Sequence, residues 1–296
     1  MTSPLFHGLG VALITPFKTD GSVDYDALET LAAWQVEQGA DFLCVLGTTA
    51  ETPCLTEREK AQIVATVRRA TGGRVPLLLG AGGNNTAAVC AYLRKADLTG
   101  IDGVLIVTPY YNKPSQRGLY AHFYAVSEAS PLPVVLYNVP GRTGVNLTAE
   151  TCLRLADDCR GIVAVKEASG DIGQIRAIID GAPEGFSVLC GDDALTRDAI
   201  LAGAVGVISV VGNAYPRRFA DLVRAARSGN AYEAARLDGT LRPVYKPLFA
   251  DGNPAGIKAL LASRGTVANV LRLPLVPATA ATADALAAFD KALGQA

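Results

Sequence analysis

Lys166 closes the apolar run Ile162–Val165 and is followed by Glu167 and Ala168. Small and branched apolar residues in succession read as a strand buried on both faces, as in parallel sheets. An ammonium at the end of such a strand is unfavourable unless it is paired or gives up its proton. An uncharged amine in a dry pocket is a nucleophile that can condense with a ketone as a Schiff base. A second reading places Lys166 in solvent, paired with a carboxylate such as Glu167. Other short stretches end in groups of related chemistry. Gly47-Thr48-Thr49-Ala50-Glu51 offers two hydroxyls and a turn of amides, which make either a carboxylate cradle or an ordinary capped turn. Tyr110 and Tyr111 lie in Thr108–Asn112, and Tyr137 ends another apolar run. Hydrogen-bonded phenols relay protons. Arg142, flanked by Gly141 and Gly144, can fork onto a carboxylate. Amine, hydroxyls, phenols and guanidinium together suit carbonyl chemistry on an anionic keto acid.

These groups need a scaffold that gathers strand ends. Eight apolar runs recur at Gly10–Ile14, Phe42–Leu46, Val75–Leu79, Gly103–Val107, Pro133–Tyr137, Ile162–Lys166, Phe186–Cys190 and Ala204–Ser209. Amphipathic segments alternate with them, as in repeated strand–helix units. Asp24 caps a helix over Tyr25–Glu37 that stops at Gly39, and Thr56 with Glu59 forms a capping-box pattern. Thr86, Ser115, Thr148 and Asp192 or Asp193 open further helices. The pattern predicts an α/β protein, a (β/α)8 TIM barrel, a fold of about 250 residues whose chemistry collects at the C-terminal ends of the strands. A doubly wound sheet is the rival, but Gly80–Asn85 is a poor dinucleotide fingerprint because Asn85 holds the third glycine position. The barrel is expected over residues 1–225. A C-terminal helical region follows over 226–296, with helices at Tyr215–Ser228, Ala231–Phe249, Pro254–Arg264 and Thr282–Leu293.

Composition narrows the partners. The 296 residues are half hydrophobic and carry a net charge of -1. That balance argues against nucleic acid or an anionic membrane surface. No window is apolar enough for a membrane span, and the first ten residues do not read as a signal peptide. Six cysteines without a CxxC sit mostly in apolar runs, as expected of buried thiols in a reduced, cytoplasmic compartment. With only His7 and His122, a histidine metal site or a Ser-His-Asp triad is poorly supplied. His122 falls on an apolar helical stripe and reads as packing.

Taken together, Gly-Thr-Thr-x-Glu at 47–51, Thr-Pro-Tyr-Tyr-Asn at 108–112, Tyr-Asn-Val-Pro-x-Arg-Thr-Gly at 137–144, Val-Lys-Glu-Ala-Ser-Gly at 165–170 and Gly-Asp-Asp at 191–193 resemble the dihydrodipicolinate synthase family. That family lies within the N-acetylneuraminate lyase group of class I pyruvate aldolases. The resemblance runs from Gly10–Phe17 to Leu271–Leu275. It implies a lyase of lysine and diaminopimelate biosynthesis that condenses pyruvate with L-aspartate 4-semialdehyde to 4-hydroxy-tetrahydrodipicolinate. No metal or cofactor is implied beyond the covalent lysine–pyruvate Schiff base. Lys166 then carries the imine. Tyr137, Thr48 and Tyr111 form a proton relay, with Tyr111 entering from a neighbouring subunit of a homotetramer. Thr49, backbone near Thr48 and Ile208, and Gly191 serve pyruvate, and Arg142 binds the semialdehyde's carboxylate.

Three departures carry expectations. Ala50 replaces a usual glycine, which costs roughly 1 kcal/mol if its φ is positive. Lys60 and Ala88 stand where lysine-inhibited relatives often carry a histidine and a glutamate, so weak or absent inhibition by L-lysine is expected. Val210–Asn213 also differs from the usual pattern. Competing readings are a sugar-acid or neuraminate lyase on the same scaffold, a non-catalytic keto-acid-binding barrel, and a phosphate-binding barrel. Asp192 and Asp193 oppose the last of these.

Overall fold

The computed structural model describes residues 4–295. Eight parallel strands close into a barrel in chain order: β1 (Gly8–Ala12), β2 (Phe42–Val45), β3 (Leu77–Gly80), β4 (Gly103–Val107), β5 (Val134–Asn138), β6 (Ile162–Glu167), β7 (Ser187–Cys190) and β8 (Gly206–Ser209). β1 pairs with both β2 and β8, which completes the cylinder. This is the TIM barrel expected. β4 coincides with its apolar run and β6 extends one residue past its own, whereas the other six strands are shorter than, or displaced by one or two residues from, their runs.

Alternation along each strand separates two packing layers. Ala12, Phe42, Cys44, Leu78, Leu105, Val135, Tyr137, Ala164, Leu189 and Ile208 form the inner cluster. Gly10 makes this filling possible, since a Cβ there would lie 2.2 Å from the Phe42 ring. Below it Phe6 packs on Phe42 with ring centroids 5.3 Å apart. The other strand face joins Val11, Leu43, Val104, Leu136 and Val165 to the surrounding helices.

The helix starts follow local chemistry. The Asp24 carboxylate accepts from Ala27 N at 3.1 Å. Thr56 and Glu59 form the reciprocal box, at 3.2 Å and 2.9 Å. Ser115 and Thr148 cap as expected. The helix Thr86–Lys95 is opened instead by Asn85, whose side chain accepts from Ala88 N at 3.2 Å. Thr86 is drawn away because its hydroxyl meets His122 Nδ1 at 2.8 Å. His122 is buried against Phe123, and burial holds its imidazole at about 4.

Helix Pro216–Arg227 packs on β1 and β8. Beyond it come Ala231–Ala250, Ala255–Ser263 and Ala280–Gln295. Val244, Leu260 and Leu286 belong to the same apolar core as the strands. Arg264 adds polar ties, with two bonds to Asp290 at 2.9 Å and 2.5 Å and one to Ala214 O at 2.6 Å. Among the described residues no helix is long and apolar enough to cross a membrane.

Candidate active site

Lys166 and Tyr137 are direct neighbours in the register of β5 and β6. Both side chains point into the barrel near the C-terminal ends of their strands. Lys166 Nζ lies 4.2 Å from the centroid of the Tyr137 ring, and both residues are buried. Glu167, one residue on, faces the opposite way. It accepts from Asn138 Nδ2 at 2.9 Å, Gln174 Nε2 at 3.0 Å and Ser169 N at 2.7 Å. The solvent-exposed Lys166–Glu167 pair is therefore excluded by the pleat, and Lys166 has no ion-pair partner among the described residues. Cys44 on β2 lies close to it. Burial pushes that thiol up to about 11, with the proximity of Lys166 opposing the shift.

Gly191, just after β7, gives the amine its room. A Cβ there would lie 3.1 Å from Lys166 Cε and 2.6 Å from the Ala168 methyl. Gly191 also borders a cavity of about 480 Å³ lined by Asp192, Ala194, Arg242, Tyr245, Lys246 and Phe249. Ile208 sits in the inner cluster with Tyr137.

The hydroxyl pair follows β2. Thr48 and Thr49 lie in a single 3₁₀ turn, Thr48–Ala50. Thr48 is exposed at the barrel mouth, whereas Thr49 is buried and its Oγ1 accepts from Asn253 Nδ2 at 2.9 Å. Ala50 has no positive φ, so its methyl carries no left-handed strain. The left-handed residues are Leu46 and Glu51, at either end of the turn. Thr15 further pins the loop by donating to Ala50 O at 2.8 Å.

Arg142 rides on the short helix Pro140–Thr143 after β5. It is exposed and has no ion pair among the described residues. Thr108 Oγ1 and Thr143 Oγ1 are 3.2 Å apart, joining the loops after β4 and β5. Tyr111 is 85% exposed at φ +73°. Lys166, Tyr137, Gly191 and Ile208 are thus assembled together, with the Thr48–Thr49 turn at the same mouth. Arg142 and Tyr111 stand at its outer edge.

Several residues hold positions that the sequence reading did not assign to them. Asp193 is buried beneath the loop after β8. It accepts from Ser209 Oγ at 2.5 Å and from Val210 N and Val211 N at 3.1 Å and 3.0 Å. Burial raises its carboxyl to about 6, with these hydrogen bonds opposing. They also occupy amides that a phosphate would need. Glu51, Lys258, Asn253 and Arg272 form a second unanticipated group. Besides Glu51 in its motif, the visible signal was a lysine inside the apolar helix Ala255–Ser263. Among the described residues no group of three or more His, Cys, Asp or Glu side chains is placed to hold a metal ion.

Comparison with known proteins gives the same direction. The family model described as "Dihydrodipicolinate synthetase family" matches residues 5–293. A 4-hydroxy-tetrahydrodipicolinate synthase of Phocaeicola vulgatus is 54% identical over 289 residues, spanning 98% of this chain and 97% of that protein. The crystal structure of dihydrodipicolinate synthase from Thermotoga maritima superposes with a TM-score of 0.95 at 42% identity, covering 99% of this chain and 100% of that one. A chloride-inhibited dihydrodipicolinate synthase from Acinetobacter baumannii, solved in complex with pyruvate, gives a TM-score of 0.94 at 37% identity over 97% and 99% of the two chains. By fold and by sequence over nearly its whole length, the chain belongs to the dihydrodipicolinate synthetase family.

Proposed function

We propose that this protein condenses pyruvate with L-aspartate 4-semialdehyde to 4-hydroxy-tetrahydrodipicolinate, a step of lysine and diaminopimelate biosynthesis in the cytoplasm. The observation that carries this reading is the buried Lys166, without a carboxylate partner among the described residues and 4.2 Å from the Tyr137 ring. An amine so placed attacks the keto carbon of pyruvate and expels water as the imine forms. The protonated imine is an electron sink, so the pyruvate methyl gives up a proton and an enamine results. The enamine carbon adds to the aldehyde. The amino group of the adduct then closes on the imine carbon, and Lys166 leaves as the free amine.

Tyr137, Thr48 and Tyr111 are the proton carriers in this reading, which fits a phenol beside the amine and a hydroxyl at the mouth. The left-handed, outward-turned Tyr111 suits a role in another subunit of a homotetramer. Thr49 and the backbone near Thr48 and Ile208 receive the pyruvate carboxylate, and Gly191 leaves space for the imine. Arg142, without an acidic partner among the described residues, takes the carboxylate of the semialdehyde. The covalent imine needs no further cofactor.

Borohydride reduction in the presence of pyruvate, followed by peptide mass analysis, tests the reading. The expected result is a pyruvyl adduct on Lys166 that disappears in Lys166→Ala. An adduct elsewhere, or none, overturns it. Turnover of pyruvate with the semialdehyde, without cleavage of N-acetylneuraminate, separates the synthase from a sugar-acid lyase.

A further inference from the structure

The turn that presents Thr48 and Thr49 ends on Glu51, a residue with φ +55° that is only 1% exposed. A non-glycine residue holds a left-handed conformation only where its surroundings enforce it. Here they do. Glu51 Oε1 forms an ion pair with Lys258 Nζ, and both side chains are fully buried. Glu51 Oε2 accepts from Arg272 N at 2.9 Å. Lys258 also donates to Val270 O at 2.9 Å, and its ammonium lies 4.1 Å from the Phe17 ring centroid. The Arg272 guanidinium lies 4.6 Å from the same ring centroid and reaches Gly21 O, Cys54 O and Glu59. The loops after β1 and β2 are thereby tied to the chain beyond residue 250. The same region sends Asn253 to the Thr49 hydroxyl.

A buried ion pair is a poor way to gain stability, since apolar residues of similar volume usually do as well or better. What it supplies is direction. It fixes a carboxylate, and the backbone that bears it, at one place beside the mouth. We infer that Glu51 and Lys258 are positioning residues for the keto acid, holding the Thr48–Thr49 turn at the angle from which it receives the pyruvate carboxylate. The inference rests on the proposed reaction. It adds that the pyruvate grip is held in place by the C-terminal helices as well as by the barrel.

The full-length Glu51→Gln/Lys258→Met double variant removes both buried charges while keeping the volume. Folding is followed by circular dichroism. The folded variant is expected to show a KM for pyruvate raised about tenfold or more, because a small misplacement of a positioning group is costly. The KM for the semialdehyde stays within about twofold, since Arg142 and its helix are not attached to the pair. A folded variant with parental pyruvate kinetics overturns the inference. A second measurement uses the unsubstituted protein. The Ala50 and Glu51 amides should exchange with deuterium nearly as slowly as those of β2, and rapid exchange typical of a free loop also overturns it. The exchange arm judges the anchor even if Lys166 fails to trap pyruvate, so failure of the anchor and failure of the reaction are told apart.

Discussion

At the scale of single residues, the site depends on which side of a strand each group faces. The place of Lys166 at the end of an apolar run allowed two orientations, an amine facing the barrel interior or a surface pair with Glu167. The pleat decides between them, because period-two alternation puts Lys166 inside and sends Glu167 to Asn138 and Gln174. Glu51 was visible only as the last letter of a motif. Its partner lies 207 residues away, beyond the reach of any local pattern. Gly191 offers a sharp test at this scale. Gly191→Ala places a methyl 2.6 Å from Ala168 and 3.1 Å from Lys166 Cε. The variant should fold with a loss of about 1–3 kcal/mol. Its kcat/KM for pyruvate should fall at least about tenfold, as the amine is pushed off its line of attack. Steady-state kinetics beside a denaturant titration checks this, and parental kinetics would refute it.

At the scale of elements, the helix caps were the most legible features, because a cap is a short-range hydrogen bond. Asp24, Thr56, Ser115 and Thr148 all cap where their types and spacing indicate. Asn85 displaced Thr86 because His122, on another helix, competes for the threonine hydroxyl. The tertiary contact won over the local one. Helix Glu57–Thr71 carries a pH signature that follows from its first turn. Arg272 and the Thr56 cap hold the Glu59 carboxyl at about 2, well below its ordinary value of 4.5. A carboxyl with a lowered folded value stabilises the protein above its unfolded value, and loses that effect as pH falls towards the folded one. Glu59→Gln should therefore cost about 1–3 kcal/mol at neutral pH and progressively less from about pH 4.5 down to 2. Urea unfolding of parent and variant across that range measures the convergence. A difference that stays constant with pH would assign the contact to packing alone.

At the scale of the whole molecule, the recurrence of strand and helix announced the barrel, while the ties between its ends stayed hidden. The expectation on feedback belongs here. A cavity of about 280 Å³ lies between the helices that follow β2 and β3. Its lining includes Thr52, Asn84, Ala88, Tyr92 and Tyr110. Lys60 also borders it, and the carboxylate of Glu57, another lining residue, is engaged by Lys60 at 2.8 Å. A basic effector would meet a cation whose acidic partner is already committed. Turnover should be insensitive to L-lysine below about millimolar concentration, and inhibition at lower levels in a steady-state assay would show that the Lys60–Glu57 pair opens to admit it.

The pairing of Glu51 with Lys258 also has a meaning in time. A ribosome releases the acidic partner 207 residues before the basic one. A nascent chain can lay down all eight staves of its cylinder and still hold an unneutralised carboxylate in its second loop. With the anchor inferred above, competence for pyruvate waits until helix Ala255–Ser263 has emerged and docked.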